Sequence, residues 1–155
     1  MIEFALVAPL FFALLFAIIE TAIMFFASQV LETVTQDSAR QIMTGQAQNA
    51  SMTQAQFKTL VCSKVVALFD CQNGITIDVQ SYSAFSNVNV SNPIDASKNF
   101  TAPNNYSPGG PGDIVMVRLF YEWPILVTKF GYDISNLSGS KRLLSGTAAF
   151  QNEPY

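Results

Sequence analysis

From Phe4 to Ala27 the chain carries a single charge, Glu20, and the first part of that stretch, FALVAPLFFALLFAII, carries none. As a helix rising about 1.5 Å per residue it is roughly 36 Å long, enough to cross a hydrocarbon core of about 30 Å. Two other readings fit less well. A cleaved signal peptide has an apolar region of only about 7–15 residues behind a basic start. Neither a basic start nor a prompt small-x-small cleavage site is present here. A core helix packs one face, whereas Phe4, Phe11, Phe12, Phe16, Phe25 and Phe26 lie all around this one. The expectation is one membrane-spanning helix over about residues 4–27.

Within such a span a carboxylate is expensive and needs a partner. Glu3 can sit at one interface. Glu20 is harder to place, and a cation on a neighbouring subunit is the sharper of its two readings. Pro9 removes one backbone hydrogen bond in the first turns and is expected to kink or loosen the helix there. Lipid tolerates this when neighbouring groups satisfy the freed carbonyl. The helix has no reason to stop at the membrane. Ile23, Ala27, Val30, Leu31, Val34, Ser38 and Ile42 keep a 3–4 spacing with polar residues between them, and neither Pro nor Gly interrupts before Gly45. A rod of roughly 60 Å follows, lipid-compatible in its first half and amphipathic in its second. The chain thus divides into residues 1–45, the long helix, and residues 46–155, a small domain.

In that domain Thr53 and Gln56 form a Thr-x-x-Gln capping box ahead of Phe57, Leu60, Val61, Val65, Leu68 and Phe69, so a second helix is expected there. Cys62 lies within it and Cys71 just past its end. In a chain carrying a membrane signal, two cysteines are more readily a disulfide than a metal site, which needs further ligands. Closing a ring of this size contributes about 2.5–3 kcal/mol, and two free buried thiols are the alternative. Ile75, Ile77 and Val79 alternate with polar residues as a half-buried strand does. Val88 and Val90 suggest a shorter strand. Ile114 to Trp123 is the strongest strand, apolar on both faces apart from Arg118 and Glu122, and Pro124 ends it. An irregular stretch from Ile125 to Leu137 and a final strand from Arg142 to Asn152 complete the chain. The loop at about 91–113 holds four prolines and three glycines. It reads as a surface excursion or as a contact loop for a partner subunit. The fold class is α+β: a long N-terminal helix and a small antiparallel sheet of three or four strands with one helix packed on it, the general pilin plan.

Catalysis has little to work with. There is no histidine, which removes the commonest general base and metal ligand together. No serine sits in Gly-x-Ser-x-Gly, and the Gly-rich end of the loop lacks the Lys-Ser/Thr of a phosphate loop. A membrane-anchored enzyme using that loop is thus a distant third reading, and neither cofactor nor metal is expected. The net charge is −3 and the eight Lys and Arg are scattered, so nucleic acid is not an expected partner.

The opening MIEFALVAPLFFALLFAIIE, followed by a polar helical half containing DSAR, resembles the start of TadE-like proteins, the pseudopilins of the tight-adherence (Flp, type IVc) pilus system. GDIVMVRLFYEWP and the closing TAAFQNEPY are similar to that family's late strand and its Asn-Glu-Pro-aromatic ending. In the family a prepilin peptidase cuts after a glycine, leaving a glutamate five residues into the mature chain with an aromatic next to it. Glu3 and Phe4 match that pair, while no glycine or basic leader precedes them in this sequence. The resemblance implies a non-enzymatic minor pilin in a bacterial inner membrane, single-pass, with a periplasmic C-terminal domain. Its partners would be other pilins or pseudopilins, the pilus assembly machinery, membrane lipid and, if processed, the prepilin peptidase. Glu3, Phe4, Pro9 and Glu20 would serve subunit assembly, with Glu3 setting the register. Incorporation into a cell-surface pilus that serves adhesion is one outcome; a static single-span scaffold of the apparatus is the other.

Overall fold

A computed structural model describes residues 2–65, 68–127 and 133–155, without the side chains of Ile2, Glu3 and Ala5. One helix, α1, runs unbroken over Ile2–Met43 with Pro9 inside it. At about 1.5 Å per residue its 42 residues make a rod of roughly 63 Å. Gly45 follows in the left-handed conformation (φ 74°), as helix ends favour. A one-turn helix, α2 (Gln46–Asn49), leads to α3 (Gln54–Lys64), whose first turn is closed by the expected capping box between Thr53 and Gln56.

The second helix is shorter than its apolar pattern suggests. The chain turns extended at Val65, and Asp70 caps a new short helix, α4 (Cys71–Gly74). Val66 and Ala67 lie outside the described residues. The disulfide accounts for the early stop. Cys62 and Cys71 are bonded with their Cα atoms 5.6 Å apart, whereas nine residues of continuous helix would hold them about 13 Å apart. Phe69 is thereby turned onto Tyr121 and Trp123, with ring centroids at 4.9 and 6.0 Å, while Leu68 stays exposed.

Three antiparallel strands make the sheet, in the order β1 (Ile75–Tyr82), β2 (Ile114–Pro124), β3 (Lys141–Gln151). Val79 pairs with Val117 and Val117 with Ala148, so β2 is central. Ile75, Ile77, Val79, Val115, Val117, Leu119 and Leu144 join the core built on Ala27, Leu31, Val34 and Ile42 of α1 and Phe57 and Val61 of α3. The helix phase is nearly the expected one, with one correction: Met24 is buried and Ile23 is turned outward. α1 packs tightly on the sheet at Gly146, where an added Cβ would lie 2.9 Å from the Leu31 carbonyl oxygen and closer still to Thr35 Oγ1. Any side chain there would push the helix off β3.

The opposite face of β2 is buried as well. Ile114, Met116, Arg118 and Phe120 are all 4% exposed or less. Their cover is the long segment between β1 and β2, which answers the question of why β2 is apolar on both sides. The expected strand at Val88 and Val90 does not form; a 3-10 turn (Phe85–Asn87) stands beside it and Val90 faces out. The segment instead lays Phe100 on Phe120, 5.6 Å between centroids, and brings Tyr106 alongside Val79 as an isolated parallel bridge. Val79 N–H donates to the Asn105 carbonyl and Ser107 N–H to the Val79 carbonyl, both at 2.9 Å, so part of the free edge of β1 is occupied. Near its middle the Asn99 and Ser97 N–H groups close a turn on the exposed Asp95 carboxylate. These bonds, that from the Asn99 backbone foremost, hold its pKa below 3.8.

Under this cover sits a buried ion pair. Arg118 donates to Asp78 through Nε (2.9 Å) and Nη2 (2.6 Å), and through Nη1 to the Ser91 carbonyl at 3.1 Å. Gln80 and Asn105 side-chain amides donate to the same carboxylate at 2.9–3.0 Å. With these partners the pair is stable, but removing one member strands the other charge without water. Asp78→Ala or Arg118→Met should each cost about 3–5 kcal/mol in denaturant unfolding. The double variant should recover part of the loss, and single-variant midpoints equal to the parent would contradict the arrangement.

Candidate membrane and assembly site

α1 changes surroundings along its length, and the site lies where it changes. From Phe4 to Ile19 its large side chains are exposed: Phe4 is 76%, Leu10 66%, Phe16 57% and Ile18 68% accessible. Beyond Glu20 one face is sealed by the sheet. Over the most apolar window of the helix only 17% is buried within the protein. A core helix of a water-soluble domain would be mostly covered, so this half is built to be covered by something other than its own chain. α1 is one helix long and apolar enough to cross a membrane.

Pro9 is exposed and the helix runs on through it. Phe4 is exposed, and the side chain of Glu3 lies outside the described residues. These residues are therefore about 11 or more positions removed from Glu20 along one rod, roughly 16 Å or more.

Glu20 is the residue at which the domain begins. It is 9% exposed, and its carboxylate is held within the chain: it accepts the backbone N–H of Leu126 and, at 3.0 Å, that of Val127. The two donors sit just past Pro124, where β2 has ended and successive N–H groups have no ladder partner. A carboxylate bonded by two backbone amides is compensated without a neighbouring cation. Around this clasp Phe16, Ile19, Ile23, Trp123 and Pro124 line an apolar groove of about 420 Å³. Val127 reaches further toward the N-terminus and lines a second groove with Ala13, Leu14 and Ala17. Of the irregular stretch after Ile125, residues 128–132 lie outside those described. Sequence reasoning missed Leu126 and Val127, since backbone donors leave no side-chain signature. The signal available was the lone carboxylate itself, which had to find two donors somewhere.

The far end of the helix is fastened by the C-terminus. Glu153 N–H donates to the Met43 carbonyl at 2.9 Å, and the Tyr155 ring fills the space that a side chain at Gly45 would need. Asn152, 3% exposed, donates to the Pro108 and Gly110 carbonyls at 2.9 Å, holding the Pro/Gly loop against the same end. Between these points Glu32 accepts the outward Thr147 N–H of β3 at 3.1 Å. Among the described residues, no three His, Cys, Asp or Glu side chains gather as a metal site would require.

A long apolar helix laid on a three-stranded antiparallel sheet, with short extra helices, defines an α+β protein of pilin-like architecture. Residues 1–40 match the family model of the TadE-like proteins. That match implies a pilus assembly component with an N-terminal hydrophobic helix, similar to a family of generally non-enzymatic structural proteins. No curated protein and no solved structure matches the chain.

Replacing Glu20 by Ala should leave two half-buried amides without their acceptor and cost about 1–3 kcal/mol, with Glu20→Gln, which keeps one acceptor oxygen, losing less. Thermal unfolding in detergent micelles, followed by near-ultraviolet circular dichroism, reads this order. Equal midpoints for parent and Glu20→Ala would mean that the clasp carries no stability.

Proposed function

We propose that the chain is a minor pilin or pseudopilin, a structural component in the assembly of a tight-adherence type IV pilus. The observation that carries this reading is a coincidence of two spans. The residues similar to TadE-like proteins, 1–40, include the half-helix whose apolar surface is uncovered. In this reading the first half of α1 sits in the bacterial inner membrane and residues 46–155 form an extracytoplasmic domain on its periplasmic side. During assembly the same apolar surface exchanges lipid for the helices of other pilins. No chemistry is required of the domain, and its role is shape.

Glu3 is assigned the register. Inside an apolar helix bundle an unpaired charge is costly, and the Glu3 carboxylate offsets the N-terminal amine of a neighbouring subunit. Phe4 and Pro9 pack in the same bundle. The alternative, a static scaffold that never leaves the membrane, draws support from the Glu20 clasp, which anchors the sheet to the helix beside the apolar half.

Two measurements test the proposal. N-terminal sequencing and intact mass, from cells with and without the prepilin peptidase, should show peptidase-dependent cleavage just upstream of Glu3. A chain unprocessed in both strains favours the scaffold. Glu3→Ala and Glu3→Gln should both abolish pilus assembly while leaving the protein folded and in the membrane. Assembly and adherence at parental levels in either variant would remove Glu3 from the mechanism.

A further inference from the structure

The part of α1 that precedes its first contact with the domain is shorter than a full span. Phe4 to Ile19 rises only about 24 Å, whereas the hydrocarbon core needs about 30 Å, or some 20 residues. Counted from Phe4, a full span reaches Ile23. The helix surface agrees with that count, because Ile23, Phe25 and Phe26 beyond Glu20 are still 42%, 66% and 56% exposed. Over these last turns, however, α1 is not alone. The end of β2 and the residues after it lie against the helix at the level of Phe16 to Ile23, sharing a groove with both. What they present outward is Pro124 and Leu126 (79% exposed), with half-buried Val127 and Trp123 beside them.

We infer that the Pro124–Val127 tip is a membrane-docking element, inserted at the acyl–headgroup boundary of the bilayer that α1 spans. This rests on the spanning role of α1 proposed above. The occupant of the surface is lipid because the tip shares an apolar groove with the uncovered Phe16, Ile19 and Ile23 of the helix, and because the length of the span carries the bilayer to that depth. A protruding leucine with a tryptophan beside it is the composition of an interfacial anchor. The depth also gives the Glu20 clasp its purpose. Irregular backbone at the edge of the hydrocarbon must have its N–H groups satisfied within the protein, and a carboxylate there must be compensated. Glu20 and the Leu126 and Val127 amides meet both requirements at once. The domain then lies on the membrane, held by helix and tip, instead of swinging from a single tether.

Trp123 is the sole tryptophan, so the depth can be read by fluorescence from the full chain reconstituted in phosphatidylcholine vesicles. Leu126→Trp, Phe16→Trp and Phe85→Trp are each made in a Trp123→Phe background, and emission is compared in vesicles with and without acyl chains brominated at carbons 6 and 7. Leu126→Trp and Phe16→Trp should each lose about half their emission or more to the brominated lipid, as residues at membrane depth do, and Phe85→Trp, on the far side of the domain, should lose none. Quenching of Phe16→Trp alone would overturn the inference while sparing the span: the helix is inserted and the tip stays in water. Absence of quenching at Phe16→Trp would remove the span itself, and the tip's docking with it. Should Leu126→Trp fail to fold, the unaltered chain decides by the same criterion through Trp123, which lines the groove beside the tip.

Discussion

The seam between α1 and the sheet is what the rest of the molecule depends on. It opens at the Glu20 carboxylate on the Leu126 and Val127 amides, tightens where Gly146 lets the Leu31 carbonyl approach, and closes where Glu153 and Tyr155 fasten the end of the helix. Burial of Ala27, Leu31, Val34 and Ile42 along it supplies the apolar contact that a three-stranded sheet cannot generate alone. Because one stiff rod both makes this seam and continues past it, the position of the domain is set by the same helix that carries the uncovered apolar half.

The second layer has a different logic. A sheet of three strands covered on one face by helices would leave β2 half exposed, yet Met116, Arg118 and Phe120 are buried. The segment from Ser83 to Gly112 does this work without regular secondary structure beyond one 3-10 turn. It is held by polar bonds to fixed points: Ser91 to Arg118, Asn105 to Asp78, and Pro108 and Gly110 to Asn152. The C-terminal Asn-Glu-Pro-Tyr therefore ties together three parts of the chain that are distant in sequence. The disulfide between Cys62 and Cys71 acts locally, folding the end of α3 back so that Phe69 reaches Tyr121 and Trp123.

Much of this is legible in the sequence. The uncharged run and the 3–4 spacing after it mark α1 nearly to its end, alternation marks β1, and a run apolar on both faces marks β2, because each pattern is a property of a single element. What stayed hidden was long-range. The run through Phe69 read as helix because apolar spacing carries no information about a cross-link that bends the chain. The loop read as an excursion because Pro and Gly report local geometry, and the Asp78–Arg118 pair that holds it is formed only by strand register. Glu20 was flagged as a carboxylate in need of a partner, and its partner is a pair of backbone amides, which every sequence contains everywhere.

On the proposed reading α1 is one rod with two surroundings, lipid all round before Glu20 and, beyond it, the sheet along one face. Cysteine substitution along residues 6–40, labelled in membranes by an impermeant maleimide, measures this directly. The account predicts no labelling from Leu6 to Ile19 in membranes and general labelling of those positions once the lipid is dissolved by detergent. After Glu20 it predicts a 3–4 pattern in which Gln29, Thr33, Gln36 and Asp37 react while Ala27, Leu31 and Val34 stay protected even in detergent. Labelling of Leu10 to Ile18 in intact membranes would contradict it.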